Sequence, residues 1–518
     1  MRYFNIAGPC NEASHYMIDA ASRLKGVEQL IDRNQYFVIH AARQSGKTTY
    51  LQDLTKRVNA AGRYYALYCS LEGVQNITDP KMGIPVVLDC ITIALQKSSI
   101  PFTYDDRYEQ EKKNRPLVLL TLFLMDLVKS MDKPLVVFFD EADCLSENTL
   151  ISFLRQLRSG YNDRSMAPFV HSLALVGMRN IRDFKARIRP DSESLGSASP
   201  FNIVAESLTL KNFTKEEITQ LYQQHTDETG QHFDGDAIEL VWEQTQGQPW
   251  LVNAIAREVI EKKLQSDYTI PVTAAMVKEA IQTIILNRPT HLDSLMERLK
   301  EPRVRRVIYP MMIGEVIPDK SSNDFLYVRD LGLIREVDSV VMPGNPVYAE
   351  VIVRMLSSMA QEEFKAERYP YKLPRYINGS GLDMDYLMRD FQQFWRENSE
   401  IWRKKHDYEE AAPHIVLMAF LQRIVNGGGQ IIREMAAGTG RLDLCVIYGD
   451  RKYPIELKIK YDRHTLPQGL EQTLRYMNKY GCSEAWLALC DRENPDWDDK
   501  IYMRKETVDG KTITIVGL

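Results

Sequence analysis

Apolar positions in the first part of the chain form two kinds of pattern, short unbroken runs and stretches at helical spacing. Tyr36 to Ile39 is a β-branched apolar run suited to a buried strand, and from Thr48 onward Leu51, Leu54 and Val58 recur at helical spacing. Both signatures return downstream. Tyr64 to Cys69, Leu135 to Phe139 and Leu173 to Val176 read as strands, while Arg23 to Asp32, Val86 to Lys97 and Leu117 to Lys129 read as helices. Strands interleaved with helices predict an α/β fold. Further on, Lys215-Glu216-Glu217 opens an amphipathic helix and Pro249 to Lys262 forms another.

Pro370, Pro374, Gly379 and Gly381 mark a linker. From Leu387, the residues Phe391, Phe394, Trp395 and Trp402 keep helical spacing, a stripe that suits packing. Pro413 fits the first turn of a helix that carries Ile415, Leu417, Met418, Leu421 and Ile424 and ends at Gly427-Gly428-Gly429. Three strands are expected next, Gln430 to Met435, Arg441 to Tyr448 and Tyr453 to Lys460. A helix around Gln468 to Tyr480 and the strand Ala485 to Leu489 follow.

The 518 residues are enough for about three or four domains. Apolar residues at 44% and charged residues at 26% are ordinary for a soluble globular protein. No run is long enough to cross a bilayer and no signal peptide is recognisable, so a cytoplasmic protein without membrane contact is expected. Seven scattered cysteines without a Cys-x-x-Cys pair point to free thiols in a reducing compartment. A net charge of −5 gives no global attraction to nucleic acid, so any such contact must come from local basic patches.

Chemistry concentrates first between the Tyr36 strand and the helix that follows. Ala41 to Thr48 keeps the diagnostic half of a Walker A loop, with Ala41 in place of the first glycine. Gly46 lets backbone approach phosphate, Lys47 can reach the β and γ phosphates, and Thr48 can ligate magnesium. Gln44, Ser45 and Thr49 complete the expected ATP-binding set. The strand Leu135 to Phe139 ends in Asp140-Glu141-Ala142-Asp143, a Walker B pattern. Asp140 would hold the magnesium shell and Glu141 would activate water for attack on the γ phosphate. Arg179 or Asn180 after the Leu173 strand could sense that phosphate, and Arg158 could act as a charge-stabilising finger in the same or a neighbouring subunit. Upstream of the loop, Gly8-Pro9-Cys10 and His15-Tyr16-Met17 could close over a nucleotide base, with His15 or Tyr16 stacking on it. The alternative is ordinary packing of an N-terminal arm.

With these motifs, and with Ser199-Pro200-Phe201-Asn202-Ile203 and Gly247-Gln248-Pro249, the first 290 or so residues resemble AAA-like P-loop ATPases related to archaeal and signal-transducing (STAND) ATPases. The resemblance implies an ATPase domain over residues 1–213, a helical lid over 214–290 and an oligomer as one option. Glu301 to Leu356 then looks like a winged helix, within a domain at 291–360. Its Arg303, Arg305 and Arg306 could touch a phosphate backbone or leave the domain merely packed on the lid. Residues 361–412 are taken as linker and helix.

A second constellation lies in 413–518. Gly449-Asp450 is a plausible two-residue hairpin loop, and pairing Tyr448 with Arg451 places Asp443 opposite Glu456, with Lys458 on the same face. Two facing carboxylates suggest a cation between them, magnesium or manganese, with Lys458 stabilising developing negative charge. The order of elements, Gly440-Arg441-Leu442-Asp443, Pro454-Ile455-Glu456-Leu457-Lys458, and Gln472 with Tyr476 together resemble the PD-(D/E)xK nuclease superfamily. The resemblance implies a metal-dependent nuclease. Its additional acid would be Glu409 or Glu410 on the first helix, or Glu434 on the preceding strand. The expected function is an ATPase fused to a nuclease acting on DNA. The alternative is a nucleotide-dependent switch whose C-terminal domain binds nucleic acid or protein without cutting.

Overall fold

A computed structural model describes the chain apart from residues 20–22, 178–202, 288, 313–319, 364–375, 379–380, 406–412, 414–416, 419, 422–429, 436–441, 461–463 and 492–495. It comprises two compact units. The first is Met1–His291 with Ser321–Ile334 and Gly344–Val347; the second is Leu292–Lys320, Arg335–Pro343 and Tyr348–Leu518.

The first unit is built on five strands, β1 (Tyr36–His40), β2 (Tyr65–Ser70), β3 (Leu135–Asp140), β4 (Ser172–Gly177) and β5 (Val204–Thr209), in the order β2-β3-β4-β1-β5. Every neighbouring pair is parallel. Helices cover both faces, which is why β1, β3 and β4 are wholly buried and apolar except at His40, Asp140 and Ser172 at their ends. Alternate strand residues divide between two cores. Phe37, Ile39, Phe138, Ala174 and Val176 pack with Leu51, Leu54 and Val58 of the helix Lys47–Ala60. Val137, Phe139, Leu173 and Leu175 pack with the helices Pro80–Gln96, Leu119–Lys129 and Glu147–Asp163.

Three differences from the sequence reading have local causes. The N-terminal helix is Val27–Asp32, because Gly26 before it sits at φ 89°. The Pro80–Gln96 helix begins six residues earlier than Val86, because Pro80 takes its first position and Asp79 caps the N–H of Lys81. Strand β5 carries no apolar run, since it is an edge strand with mostly exposed side chains.

The helices Lys215–Thr229, Gly235–Thr245, Pro249–Arg257 and Ala274–Asn287 follow in the same unit. Thr214 and Glu217 close a reciprocal capping box at the first of them. A π-helical turn, Glu258–Lys263, continues the third, so the helix expected from Pro249 to Lys262 is present in two parts. The N-terminal arm packs against these helices: Phe4 and Tyr16 lie against His225, and Arg2 pairs with Glu228.

After residue 300 come the helices Pro302–Met312 and Asn323–Asp330, the paired strands β6 (Ile334–Val337) and β7 (Val340–Pro343), and the helix Pro346–Glu363. Arg305 does not present a free guanidinium, because it donates to the carbonyls of Leu299 and Lys300 at 3.0 and 2.9 Å.

In the second unit, the short antiparallel strands β8 (Ile377–Asn378) and β9 (Gly381–Leu382) precede the helix Met384–Lys405. This helix is bound to the C-terminal sheet and is not a free connector. Gln392 Nε2 donates to the carbonyls of Tyr502 and Gly517, and Trp486 Nε1 donates to Asp385 Oδ1 at 2.8 Å. The sheet contains β10 (Gln430–Met435), β11 (Leu442–Tyr448), β12 (Arg451–Lys460), β13 (Glu484–Asp491), β14 (Met503–Val508) and β15 (Lys511–Gly517), in the order β10-β11-β12-β13-β15-β14. Strands β10 to β12 are antiparallel; β12, β13 and β15 are parallel. The helix Thr465–Tyr480 makes the crossover from β12 to β13 and packs on both. Strand β14 carries a weak apolar pattern, but β15 alternates Thr512-Ile513-Thr514-Ile515, and Asp509-Gly510 between them, at φ 51° and 73°, is a strong hairpin signal; sequence reasoning overlooked both. All seven cysteines are free, and among the described residues no helix is long and apolar enough to cross a membrane.

Candidate functional site

The loop Ala41–Gly46 joins β1 to the helix Lys47–Ala60, so the helix N-terminus faces the C-terminal edge of the sheet. Its turn needs left-handed backbone at Gln44, φ 60°, and Gly46, φ 86°. An added Cβ at 46 would also press on the neighbouring Arg23, 3.3 Å from its Nη1. The Ala41 N–H donates to Gly177 at the end of β4, and Ser45 Oγ donates to Ala42 O at 2.7 Å. Lys47, only 7% exposed, donates to the carbonyls of Ala41 and Ala42 at 2.9 and 3.0 Å. Burial lowers its pKa, opposed by the carboxylates of Glu141, Asp143 and Asp140.

At the end of β3, Asp140 is 1% exposed and receives three donors. Thr48 Oγ1 and Tyr68 Oη both donate to its Oδ2, at 2.8 and 3.0 Å, and the Glu141 N–H donates to Oδ1 at 3.0 Å. Glu141 sits at φ 55°, an unfavourable backbone for a non-glycine residue and a kind of strain that concentrates at functional positions. Its pKa is raised by burial first and by Asp143 and Asp140 after it. Gly177 lets Asp143 approach, since an added Cβ would lie 2.6 Å from Asp143 Oδ1.

Neighbouring segments brace the loop. Arg23 Nη2 donates to Ser45 O at 2.9 Å, its Nε donates to Lys211 O at 3.2 Å, and its guanidinium lies over the Phe213 ring. Gln248 caps the helix Pro249–Arg257 and donates to Gln44 O at 3.3 Å. Gly247 presses on Phe213 so closely that an added Cβ would fall 1.8 Å from its carbonyl oxygen. Thr49 Oγ1 accepts the N–H of Cys10 at 3.0 Å.

The residues of the two motifs therefore converge: Ala41, Gln44, Ser45, Gly46, Lys47, Thr48 and Thr49 on the loop, and Asp140 and Glu141 on the strand end. Arg158 is half-buried on the helix Glu147–Asp163, while Arg43 is near enough to Lys47 for its charge to lower the lysine pKa slightly. Arg179 and Asn180 lie outside the described residues. His15 and Tyr16 are not poised to stack on a base. His15 bonds the Asn11 N–H and Tyr3 Oη, and Tyr16 is 1% exposed against Phe4 and His225. Sequence reasoning missed Arg23 and Tyr68. Tyr68 left one signal, a polar-tipped aromatic two residues before the end of an otherwise apolar strand; Arg23 left none, because only the tertiary fold brings it to the loop.

In the second unit, Tyr448 pairs with Arg451, the register expected from the Gly449-Asp450 loop. The β11–β12 ladder is in register as far as Leu444 and Ile455, next to Asp443 and Glu456, and Asp443 lies opposite Glu434 of β10. Glu456 and Lys458 are 1% and 3% exposed and form an ion pair at 2.6 Å. Lys458 also donates to Gln472 Oε1 on the crossover helix. Gly469 makes room there, since an added Cβ would lie 3.2 Å from Lys458 Cγ. Tyr476 lines a small cavity with Glu456, Thr473 and Tyr480. Glu409 and Glu410 lie outside the described residues. Among the described residues, no three His, Cys, Asp or Glu side chains are grouped so as to hold a metal ion.

A family model described as "AAA-like domain" matches residues 6–352. Among solved structures, the chain is similar to a Walker-type ATPase of Pyrococcus abyssi, at 15% identity and TM-score 0.48, over 67% of this chain and 99% of that one. It is similar to Aeropyrum pernix Orc1 protein in complex with DNA, at 13% identity and TM-score 0.35, over 68% and 95%. It is also similar to the Thermotoga maritima RuvB Holliday junction branch migration motor, at 11% identity and TM-score 0.32, over 62% and 89%. No curated protein matches the chain.

Proposed function

The chain belongs to the AAA-like domain family, a P-loop ATPase fold on a parallel sheet, and on that premise we propose that its first unit binds ATP with magnesium and hydrolyses it. The observation that carries this reading is the 2.8 Å bond from Thr48 to Asp140, which unites a phosphate loop and an acidic strand end. Backbone N–H groups at the start of the helix Lys47–Ala60, together with Lys47, would receive the phosphates. A hydroxyl and a carboxylate are hard oxygen donors that suit magnesium, and Thr48 and Asp140 would hold it. Charge on the phosphate oxygens would be offset by magnesium held there. Glu141 would orient and deprotonate the attacking water, favoured by its raised pKa. The test is ATP binding and phosphate release by the full chain. Lys47→Ala should lose both and Glu141→Gln should lose release alone. Absence of binding by the wild type would overturn the reading.

A second activity is proposed for the C-terminal unit, a magnesium- or manganese-dependent nuclease acting on DNA. Its support is the buried Glu456–Lys458 pair with Gln472, with Tyr476 on the adjoining cavity and Asp443 one residue before Leu444, the last residue of β11 paired with β12. Asp443 and Glu456 would hold the cation, with Glu434 or Glu410 as the additional acid, and Lys458 would stabilise negative charge at the phosphodiester. Incubation of circular and linear DNA with either metal, with and without ATP, tests it. Failure to cut under every condition would leave the C-terminal unit a binding module of a nucleotide-dependent switch.

A further inference from the structure

We propose that Tyr68 is a positioning residue for the magnesium ion, fixing the Asp140 carboxylate from the neighbouring strand; this rests on the magnesium–ATP reading above. Strands β2 and β3 run parallel with Tyr68 beside Phe138 and Ser70 beside Asp140. Tyr68 is therefore two residues short of Asp140 along the strands and on the same face of the sheet. The length of a tyrosine covers that offset, and its hydroxyl reaches Asp140 Oδ2 at 3.0 Å.

Two hydroxyls thus converge on one carboxylate oxygen, and they come from different elements: Thr48 from the helix after the phosphate loop and Tyr68 from β2. Thr48 and Asp140 would both hold the ion. With Thr48 given over to the metal, Tyr68 would be the side-chain donor left to orient the carboxylate. Partners of this kind, hydrogen-bonded to a metal ligand, typically contribute 10- to 100-fold in metal affinity. Packing does not require the hydroxyl, because the ring alone meets the core of the helix Lys47–Ala60. Tyr65, three residues earlier on β2, supplies a control. Its hydroxyl donates to Asp132 Oδ1 at 2.9 Å, at the other end of the strand.

The experiment is the analogue-dependent part of Mn2+ binding to the full chain, taken by EPR as the difference with and without a non-hydrolysable ATP analogue, together with metal-free binding of the same analogue. Tyr68→Phe should weaken Mn2+ about tenfold while leaving metal-free analogue binding unchanged. Tyr65→Phe should change neither, and Tyr68→Phe should add no loss on an Asp140→Asn background. The proposal is overturned if Tyr68→Phe binds Mn2+ within about twofold of wild type, or if it loses metal-free analogue binding as well, which would mark a structural role. A wild-type chain that binds no analogue at all would instead overturn the ATP reading, and the proposal with it.

Discussion

Thr48 and Asp140, 92 positions apart, are joined by a 2.8 Å hydrogen bond between the helix after the phosphate loop and the end of β3. Neither end works alone, since a hydroxyl without the carboxylate lacks charge and the carboxylate without the loop has no phosphate nearby. Thr48→Ala should therefore cut magnesium-dependent ATP turnover by about two orders of magnitude or more, the scale at which a group stabilising the transition state acts. Thr48→Ser, which keeps the hydroxyl, should stay within several-fold of wild type. Steady-state phosphate release checks both, and equal rates for Ser and Ala would remove Thr48 from the site.

Much of this arrangement is legible in the chain. An apolar strand, a turn ending in Gly46-Lys47-Thr48 and a helix with Leu51, Leu54 and Val58 constrain one another, because the β-strand and helical periods leave one way to place the loop. The hairpin from β11 to β12 was legible for the same reason: a two-residue loop fixes register. Strand β5 and the Arg23 brace were not. An exposed edge strand has no apolar run, and Arg23 gains its role only when Ser45 and Lys211 meet in the folded unit. Helical spacing from Leu387 correctly marked a packing face but could not say against which sheet it packs.

Arg23 bridges the phosphate loop at Ser45 and, at Lys211, the segment between β5 and the helix Lys215–Thr229. Burial lowers its pKa to about 10, so it is still a cation at neutral pH. A planar fork is needed to serve two carbonyls while lying over the Phe213 ring, a geometry that lysine lacks. Arg23→Ala should lower the melting temperature and weaken ATP binding about tenfold, the scale of one charge-assisted hydrogen bond, and Arg23→Lys should restore little of either. Calorimetry of binding and thermal unfolding provide the measurements. Full rescue by lysine would reduce Arg23 to a point charge.

His291 is 4% exposed beside the Trp250 ring, and burial first, then the Arg43 charge, lowers its pKa to about 4. The sign follows from linkage: the unfolded state takes up a proton near pH 6.5 and the folded state only near 4, so stability is complete above 6.5 and declines as pH falls through that interval. The loss amounts to roughly 3 kcal/mol at most. Urea unfolding at stepped pH should show a shallower acid decline for His291→Gln than for wild type between pH 6.5 and 4. Parallel curves for the two proteins would mean that His291 titrates normally.

The Glu456–Lys458 pair decides how the nuclease proposal can be tested. Both side chains are nearly inaccessible, and removing one partner of a buried pair leaves the other charge uncompensated at a cost of roughly 3–5 kcal/mol. Lys458→Met should therefore sharply lower the melting temperature of the C-terminal unit, and adding Glu456→Gln should recover most of the loss. Loss of cleavage by Lys458→Met alone would not separate chemistry from unfolding. The pair variant, Glu456→Gln with Lys458→Met, separates them when circular dichroism shows it folded. Cleavage abolished in a folded pair variant assigns the carboxylate and the lysine to the reaction. Cleavage retained would make the cluster a structural ion pair and move the cutting centre elsewhere.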